Sequence, residues 1–170
     1  MSQQGLKDRL DQLYQRYNCV NAATDPIEIV RRYTTRSDRE VVGFVAASLA
    51  FGRVASVLHS IERVLHVLGS SPAEFVSRFE PARDAGQLSG IVHRWTRSVD
   101  LAALLWITRV MLEHGSIEAF FLEGADSGAA DVGQALDSFS ARAMKVDLRP
   151  VYGRVPRRPG VQYFFPKPSA

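Results

Sequence analysis

Helical periodicity is the feature that most constrains the fold of this chain. Along residues 3–147, apolar residues recur at spacings of three and four positions, which is the repeat of an amphipathic α-helix. In the first such segment, about residues 3–17, Leu6, Leu10 and Leu13 share one face, which we expect to point into the core. No useful run of the alternating pattern typical of half-buried strands occurs. The sequence therefore predicts an all-α fold, with one domain of about eight helices over residues 3–147.

Short capping motifs indicate where several of these helices begin. Each motif places a capping side chain three residues before a glutamate, which can satisfy the free amides of a first helical turn. The motifs are Asp25-Pro26-Ile27-Glu28, Ser37-Asp38-Arg39-Glu40 and Ser71-Pro72-Ala73-Glu74. We therefore expect helices to begin at about residues 26, 38 and 72.

Two segments are apolar on nearly every side, and we expect them to form the centre of the domain. They are residues 38–51 and 100–114. An amphipathic helix is predicted over about residues 54–68, and Gly52 is placed to end the helix before it. Residues 81–86 are predicted to form a loop.

Composition and spacing exclude several classes of protein and site. The longest unbroken apolar run, Leu101 to Ile107, is about seven residues, whereas a membrane span needs roughly 20. The single cysteine, Cys19, excludes a disulfide framework and a cysteine-rich zinc site, and makes the reducing cytoplasm the expected location. His59 and His66 are about two helical turns apart, too far to share a metal ion. We identify no catalytic residue and expect no cofactor.

Residues 148–170, here called the C-terminal arm, differ from the rest of the chain. The arm holds five prolines, a density that predicts an irregular segment. Residues 149–170 contain five basic and no acidic side chains, whereas residues 1–148 carry 16 basic and 18 acidic ones. The candidate nucleic-acid-binding residues are Arg149, Arg154, Arg157, Arg158 and Lys167. Together with the aromatic residues among them, they combine attraction to phosphate with stacking surfaces.

Two interpretations of the arm remain open at this stage. In the first it binds nucleic acid. In the second it is a linker whose cations keep it soluble and whose aromatic residues dock on a core. Tyr163, Phe164 and Phe165 look exposed, with no partner left in the chain, which suggests a missing half of the protein. Pro159-Gly160-Val161 resembles the hairpin of helix-hairpin-helix modules, but Gln162 replaces the second glycine that such a hairpin needs.

A second polar feature lies just before the predicted helix at residue 100. His93 and Arg94 stand between large apolar residues, in the sequence Ile91-Val92-His93-Arg94-Trp95. Such a pair can orient a buried loop or face a ligand, and the sequence does not decide between these roles.

Several strings taken together resemble a bacterial family of conserved hypothetical proteins, catalogued as domain of unknown function twenty-four hundred. The strings are Asp25-Pro26-Ile27-Glu28, Asp38-Arg39-Glu40-Val41-Val42-Gly43, Ala46-Ala47-Ser48-Leu49-Ala50-Phe51-Gly52-Arg53-Val54, His93-Arg94-Trp95 and Asp100-Leu101-Ala102-Ala103-Leu104. They occur in order along nearly the whole chain. Within them we single out five motif residues of unknown role: Gly52, Arg53, His93, Arg94 and Trp95.

The family resembles, distantly, the all-helical superfamily of helix-hairpin-helix DNA glycosylases. This resemblance implies that the chain forms part of that fold and that the intact protein binds nucleic acid. The segment comparable to the glycosylases' aspartate, a Leu-Asp-Thr-His-like stretch, belongs to a continuation that this sequence does not contain. We therefore expect the chain to correspond to an N-terminal portion, with the arm leading into a missing half, and we expect no catalysis by these 170 residues.

Two further functions remain as alternatives to nucleic-acid binding. The first is a glycosylase-like enzyme acting on nucleic acid, with its catalytic half absent from this chain. The second is a protein-interaction module in which Phe164 and Phe165 dock on a partner.

Overall fold

The computed structural model describes residues 3–17, 25–126 and 128–166. These residues form ten α-helices, two 3₁₀-helices and no β-strand, which confirms the predicted all-α class. The α-helices are α1 (Gln3–Tyr17), α2 (Ile27–Arg31), α3 (Arg36–Leu49), α4 (Val54–Leu68), α5 (Pro72–Ser77), α6 (Pro81–Asp84), α7 (Ser98–Glu113), α8 (Ile117–Leu122), α9 (Gly133–Ala143) and α10 (Arg149–Tyr152). The 3₁₀-helices span Ala85–Leu88 and Gly160–Phe164.

Helices α3 and α7 form the centre of the domain, as their apolar sequences predict. Helix α7 packs against α5, α8 and α10 and against both 3₁₀-helices. Its small residues Ala102 and Ala103 are fully buried, which allows neighbouring helices to approach closely. Helix α3 packs against α2, α4 and α5 and buries Val41, Val42 and Leu49 completely.

The start of α3 differs from the prediction. The helix begins at Arg36 rather than near residue 38, and its N-cap is Thr35 instead of Ser37. The Thr35 hydroxyl oxygen accepts a hydrogen bond from the Asp38 amide at 3.1 Å and donates to Asp38 Oδ2 at 2.6 Å. Thr35 and Asp38 therefore satisfy the first turn between them, and Ser37 is not needed as a cap.

The start of α5 is also capped differently from the sequence motif. The helix begins at Pro72 as predicted, but the Ser71 side chain makes no capping hydrogen bond. Instead, Asp38 Oδ1 accepts from the Ala73 amide at 2.9 Å. One carboxylate of α3 thus serves the first turn of α5, a contact that local sequence does not encode.

The predicted loop over residues 81–86 is wrong. These residues belong to α6 and to the 3₁₀-helix that follows it. Pro81 suits a first helical turn, and the buried Asp84 accepts a hydrogen bond from the Glu80 amide at 2.8 Å through Oδ2. Leu88 is fully buried beneath this segment, so packing stabilises helices too short to be recognised from periodicity.

Helix α1 has the predicted bounds but not the predicted burial. Its apolar residues Leu6, Leu10 and Leu13 are exposed, so the expectation that this face points into the core is wrong. Periodicity shows which side chains share a helix face, but it does not show what covers that face.

The described part of the arm, residues 148–166, docks on the domain. It contains α10 and the second 3₁₀-helix. Pro150 and Pro159 are compatible with these helices because they lie at or before first helical turns, where proline costs no hydrogen bond. Phe165 is only 4% exposed and its ring lies 6.0 Å from that of Phe44. The expectation that Phe164 and Phe165 have no partner in the chain is therefore wrong, since both pack against the core.

Candidate nucleic-acid interface

His93 fixes a tight turn between the first 3₁₀-helix and α7. The backbone of His93 pairs with that of Thr96 through two hydrogen bonds of 3.0 and 2.9 Å. The imidazole is 3% exposed, with Nε2 2.9 Å from the Phe51 carbonyl oxygen and Nδ1 2.9 Å from Ser60 Oγ. Because a carbonyl oxygen only accepts, Nε2 donates to Phe51, and Nδ1 shares the second hydrogen bond with the Ser60 hydroxyl. His93 therefore connects the turn to α4 and to the segment after α3.

Gly52 and Arg94 meet where that segment passes the turn. Gly52 has a φ of 112°, which L side chains rarely adopt. A Cβ atom on Gly52 would lie 3.1 Å from Arg94 Nη1 and 3.2 Å from Arg94 Cδ. Arg94 itself has a φ of 54°, an uncommon conformation for a residue with a side chain. Helix α3 ends at Leu49, so Gly52 shapes this contact rather than ending the helix.

A cleft of about 480 Å³ opens between these residues and the start of α4. Its lining includes Arg53, Arg94, Ser56 and His59. The Arg53 and Arg94 side chains are exposed, and the positive end of the α4 dipole lies at the same place. The cleft is therefore cationic.

A row of aromatic rings joins the motif turn to the arm. The Trp95 indole stacks on Phe51, with ring centroids 4.7 Å apart and planes inclined by 17°. A second ring, that of Tyr163 in the arm, stands edge-on to the indole at 6.2 Å. Trp95 is 55% exposed and Tyr163 is 62% exposed. The structure thus brings together two aromatic residues that belong to separate features of the sequence.

A buried carboxylate, Asp100, attaches the arm to the start of α7. Asp100 is 1% exposed, and its Oδ1 accepts from the Tyr152 hydroxyl at 2.8 Å. Its Oδ2 accepts from the Arg97 amide at 3.0 Å. Partial burial and the neighbouring carboxylate raise the pKa of Tyr152. Gly160 lies so close to Asp100 that a Cβ atom at Gly160 would be 2.5 Å from the carboxylate atoms.

Sequence reasoning missed the role of Asp100. The only signal in the sequence is an aspartate at the head of an apolar helix, which indicates a helix start. The partners that give it a second role, Tyr152 and Gly160, lie in the arm and become neighbours only in the folded chain.

The predicted arm arginines fall into two groups. Arg149 is bound to Asp147, with Nη2 2.7 Å from Oδ2, and these hydrogen bonds hold the pKa of Asp147 at about 2. Arg154, Arg157 and Arg158 are exposed and form no ion pair with the described residues. Lys167 lies outside the described residues.

The surrounding segments are rich in arginine, and of these arginines only Arg97 and Arg149 form ion pairs among the described residues, with Asp100 and Asp147. Residues 50–61, 89–99 and 148–166 contain seven arginines and no aspartate or glutamate. They are linked by the contacts of His93 with Phe51 and of Trp95 with Tyr163. We call their exposed side chains the arginine-aromatic surface: Arg53, Arg94, Trp95, Arg97, Arg154, Arg157, Arg158 and Tyr163. Such a surface attracts anions over a distance of about one Debye length.

Neither a membrane-spanning helix nor a metal-binding cluster occurs in the described part of the chain. None of its helices is long and apolar enough to span a bilayer. Among the same residues, no three histidine, cysteine, aspartate or glutamate side chains converge so as to hold a metal ion.

The fold and the surface define an all-helical domain with a docked, arginine-rich arm. Residues 25–170 match the family model described as Protein of unknown function (DUF2400), so the chain belongs to this family. The match confirms the family resemblance of the sequence motifs, and α1 lies outside it. Comparison with the curated proteins and with the solved structures found no match.

Proposed function

We propose that the arginine-aromatic surface binds nucleic acid through its phosphate groups. The observation that carries the proposal is a set of three contacting segments with five exposed arginines that form no ion pair among the described residues: Arg53, Arg94, Arg154, Arg157 and Arg158. Arginine presents a planar fork of donors that matches phosphate oxygens. Arg154, Arg157 and Arg158 have no ion pair to break among the described residues, so a phosphate would meet free guanidinium groups.

The charge count sets the expected salt dependence of binding. If Arg53, Arg94, Arg154, Arg157 and Arg158 each neutralise one phosphate, log K should fall with log salt at a slope of roughly −4.5 for duplex DNA. For a single strand the corresponding slope is roughly −3.5. The solubility-linker interpretation of the arm predicts no such binding.

The test measures binding of the full chain to a fluorescently labelled oligonucleotide by anisotropy across a salt series. The triple variant Arg154→Gln, Arg157→Gln, Arg158→Gln should bind weakly, with the slope reduced by about two to three units. A matched control removes the same charge elsewhere.

The control is the triple variant Lys7→Gln, Arg36→Gln, Arg78→Gln, whose three side chains are exposed. It should bind nearly as well as the parent chain. Equal loss in both triple variants would mean that only net charge matters, and binding that does not respond to salt would remove the proposal.

The two alternative functions find less support in the geometry. The only acidic residue that contacts the arginine-aromatic surface within the described ranges is Asp100, which is buried and bonded to Tyr152 and Arg97. The described residues of this surface therefore supply groups for binding, and the glycosylase-like alternative, which the resemblance bases on a catalytic segment absent from this chain, draws no support from them. The interaction-module hypothesis depended on Phe164 and Phe165 being free, whereas both pack against the core.

A further inference from the structure

We infer that Trp95 and Tyr163 form a stacking site for an unpaired base, so that the preferred ligand is single-stranded nucleic acid. The inference rests on the proposed function and adds the class of ligand. It follows from the geometry of the aromatic rings and from the charge around them.

The Trp95 indole is held in place before any ligand arrives. Phe51 covers one of its faces at 4.7 Å, yet 55% of the residue remains exposed. More than half of Trp95 therefore stays open to solvent, on surface that Phe51 does not cover. A preformed ring costs little conformational entropy when a second ring stacks on it.

Phe51 is in turn held by a buried neighbour. Its carbonyl oxygen accepts from His93 Nε2 at 2.9 Å, and its ring meets the imidazole edge-on at 4.6 Å. His93 is thus a positioning residue for Trp95, which it supports through Phe51.

Tyr163 belongs to the arm and completes the site only when the arm is docked. The second 3₁₀-helix carries Tyr163, and within that helix Val161 is fully buried. The Tyr163 ring stands edge-on to Trp95, so together the two rings form a corner. A flat base fits such a corner with its face on the indole and its edge on the phenol ring.

The charge around the corner distinguishes a nucleotide from an apolar peptide. The Arg94 guanidinium lies over the Trp95 ring, with its carbon 5.7 Å from the ring centroid. Arg97, two residues after Trp95, is exposed and also pairs with Asp100, its Nε 3.4 Å from Oδ2. An unpaired nucleotide carries phosphates on either side of its base, and these would meet the two arginines. An apolar peptide offers nothing to them, so the ligand that matches both features is a nucleic-acid strand.

Single strands are favoured because their bases are free to leave the stack. In a duplex, each base face is already covered by its neighbours, so stacking on Trp95 requires unpairing. Base stacking on an aromatic side chain changes affinity by roughly 5- to 150-fold per base. We expect the full chain to bind a single strand more tightly than a duplex of the same length by a factor in this range.

The experiment compares a 12-nucleotide oligothymidine with a 12-base-pair mixed-sequence duplex, using the full chain. Intrinsic tryptophan fluorescence reports on the site, because the chain has only two tryptophans, Trp95 and Trp106. Trp106 is outside the proposed site, where its indole donates a hydrogen bond to the Asp147 carbonyl at 2.9 Å. The single strand should quench emission, and Trp95→Leu should remove the quenching and weaken single-strand binding by roughly 5- to 150-fold. Trp95→Phe should retain much of the affinity. Duplex binding should change little.

Tyr163→Leu provides a second variant that does not threaten the fold, because the side chain is largely exposed. Its matched control is Tyr14→Leu, an exposed tyrosine on α1. Tyr163→Leu should weaken oligothymidine binding, and Tyr14→Leu should not.

The outcomes separate the two proposals. Salt-dependent binding of equal strength to both ligands, unchanged by Trp95→Leu and Tyr163→Leu, overturns the stacking site but leaves phosphate binding intact. No salt-dependent binding to either ligand overturns the proposed function itself. The stacking site is also overturned if Tyr14→Leu abolishes the preference for a single strand as completely as Tyr163→Leu does.

Discussion

Replacing Gly160 with alanine tests whether the arm is locked onto α7. The added Cβ would lie 2.5 Å from the Asp100 carboxylate, closer than real Cβ atoms approach any neighbour. Asp100 cannot turn away cheaply, because Tyr152 and the Arg97 amide hold its two oxygens at 2.8 and 3.0 Å. Either these hydrogen bonds break or the second 3₁₀-helix moves off the core.

The structure allows both costs to be estimated. Overpacking a buried site costs about 1–3 kcal/mol, and a lost hydrogen bond to a buried carboxylate adds about 1.5–3 kcal/mol. Moving the 3₁₀-helix instead exposes Val161 and Phe165, at about 1.5–3 kcal/mol for each side chain. Because the chain takes the cheaper course, we expect Gly160→Ala to lower the free energy of unfolding by about 2.5–6 kcal/mol. This is a large share of the roughly 5–15 kcal/mol typical of a domain.

Urea denaturation of the full chain, followed by circular dichroism, measures this loss. Gly86→Ala is the matched control, because Gly86 also lies in a 3₁₀-helix, is exposed, and has no atom within 4 Å of the place that an added methyl group would take. That control should change the free energy of unfolding by less than about 1 kcal/mol. If Gly160→Ala proves as stable as Gly86→Ala, the arm is not locked through Asp100 and the reasoning fails.

Two further substitutions test the remaining parts of the surface. His93→Ala should cost about 3 kcal/mol in thermal or urea unfolding and shift the tryptophan emission, because Phe51 and Ser60 lose a buried partner. Ser60→Ala removes only the hydrogen bond to His93 Nδ1 and should cost about 1 kcal/mol. An unchanged unfolding midpoint for His93→Ala would contradict the positioning role. Arg149→Gln should reduce stability above about pH 4, and this effect should shrink as the pH falls and vanish below about pH 2, because the folded-state pKa of Asp147, about 2, lies below its ordinary value of 3.8. If the difference in stability between Arg149→Gln and the parent chain stays constant from about pH 6 to about pH 2, the Asp147 carboxylate is not the source of that difference.

Much of the helical framework could be predicted from local sequence. Helix α4 has the predicted bounds, and α8 begins after Ser116, whose hydroxyl accepts from the Ala119 amide at 2.8 Å. Helices α3 and α7 are central because nearly all their faces are apolar. These features depend on residues a few positions apart, which is the range that periodicity and capping describe.

The remainder depends on contacts between distant segments. Asp38 of α3 caps the first turn of α5, and the short helix α6 is stabilised by the Asp84 hydrogen bond and by packing. Phe165 enters the core although the sequence around it suggests exposure. No spacing rule relates such residues, since their proximity is a product of the tertiary fold.

The candidate site shows the same division. The arm arginines were predicted from the charge of the arm, whereas Arg53 and Arg94 were singled out only as motif residues of unknown role and Arg97 was not singled out. The pairing of Arg149 with Asp147 was not predicted either, since neighbours of opposite charge pair only when the backbone brings them into reach. The meeting of Trp95 with Tyr163 was not predicted either, because it requires the arm to fold back onto α7.

Packing separates the motif residues into two that shape the surface, His93 and Gly52, and three whose side chains are displayed on it, Arg53, Arg94 and Trp95. His93 is 3% exposed with both ring nitrogens bonded, and Gly52 leaves room for Arg94, so these two residues are explained by packing. Packing does not explain Trp95, because 55% of the residue faces solvent. Burying an aromatic side chain of roughly 150–250 Å² would stabilise the fold by several kcal/mol. The chain forgoes part of that stabilisation, yet holds the same ring rigidly against Phe51. A fixed, exposed indole among arginines is the arrangement expected where the stabilising contact is made with a ligand.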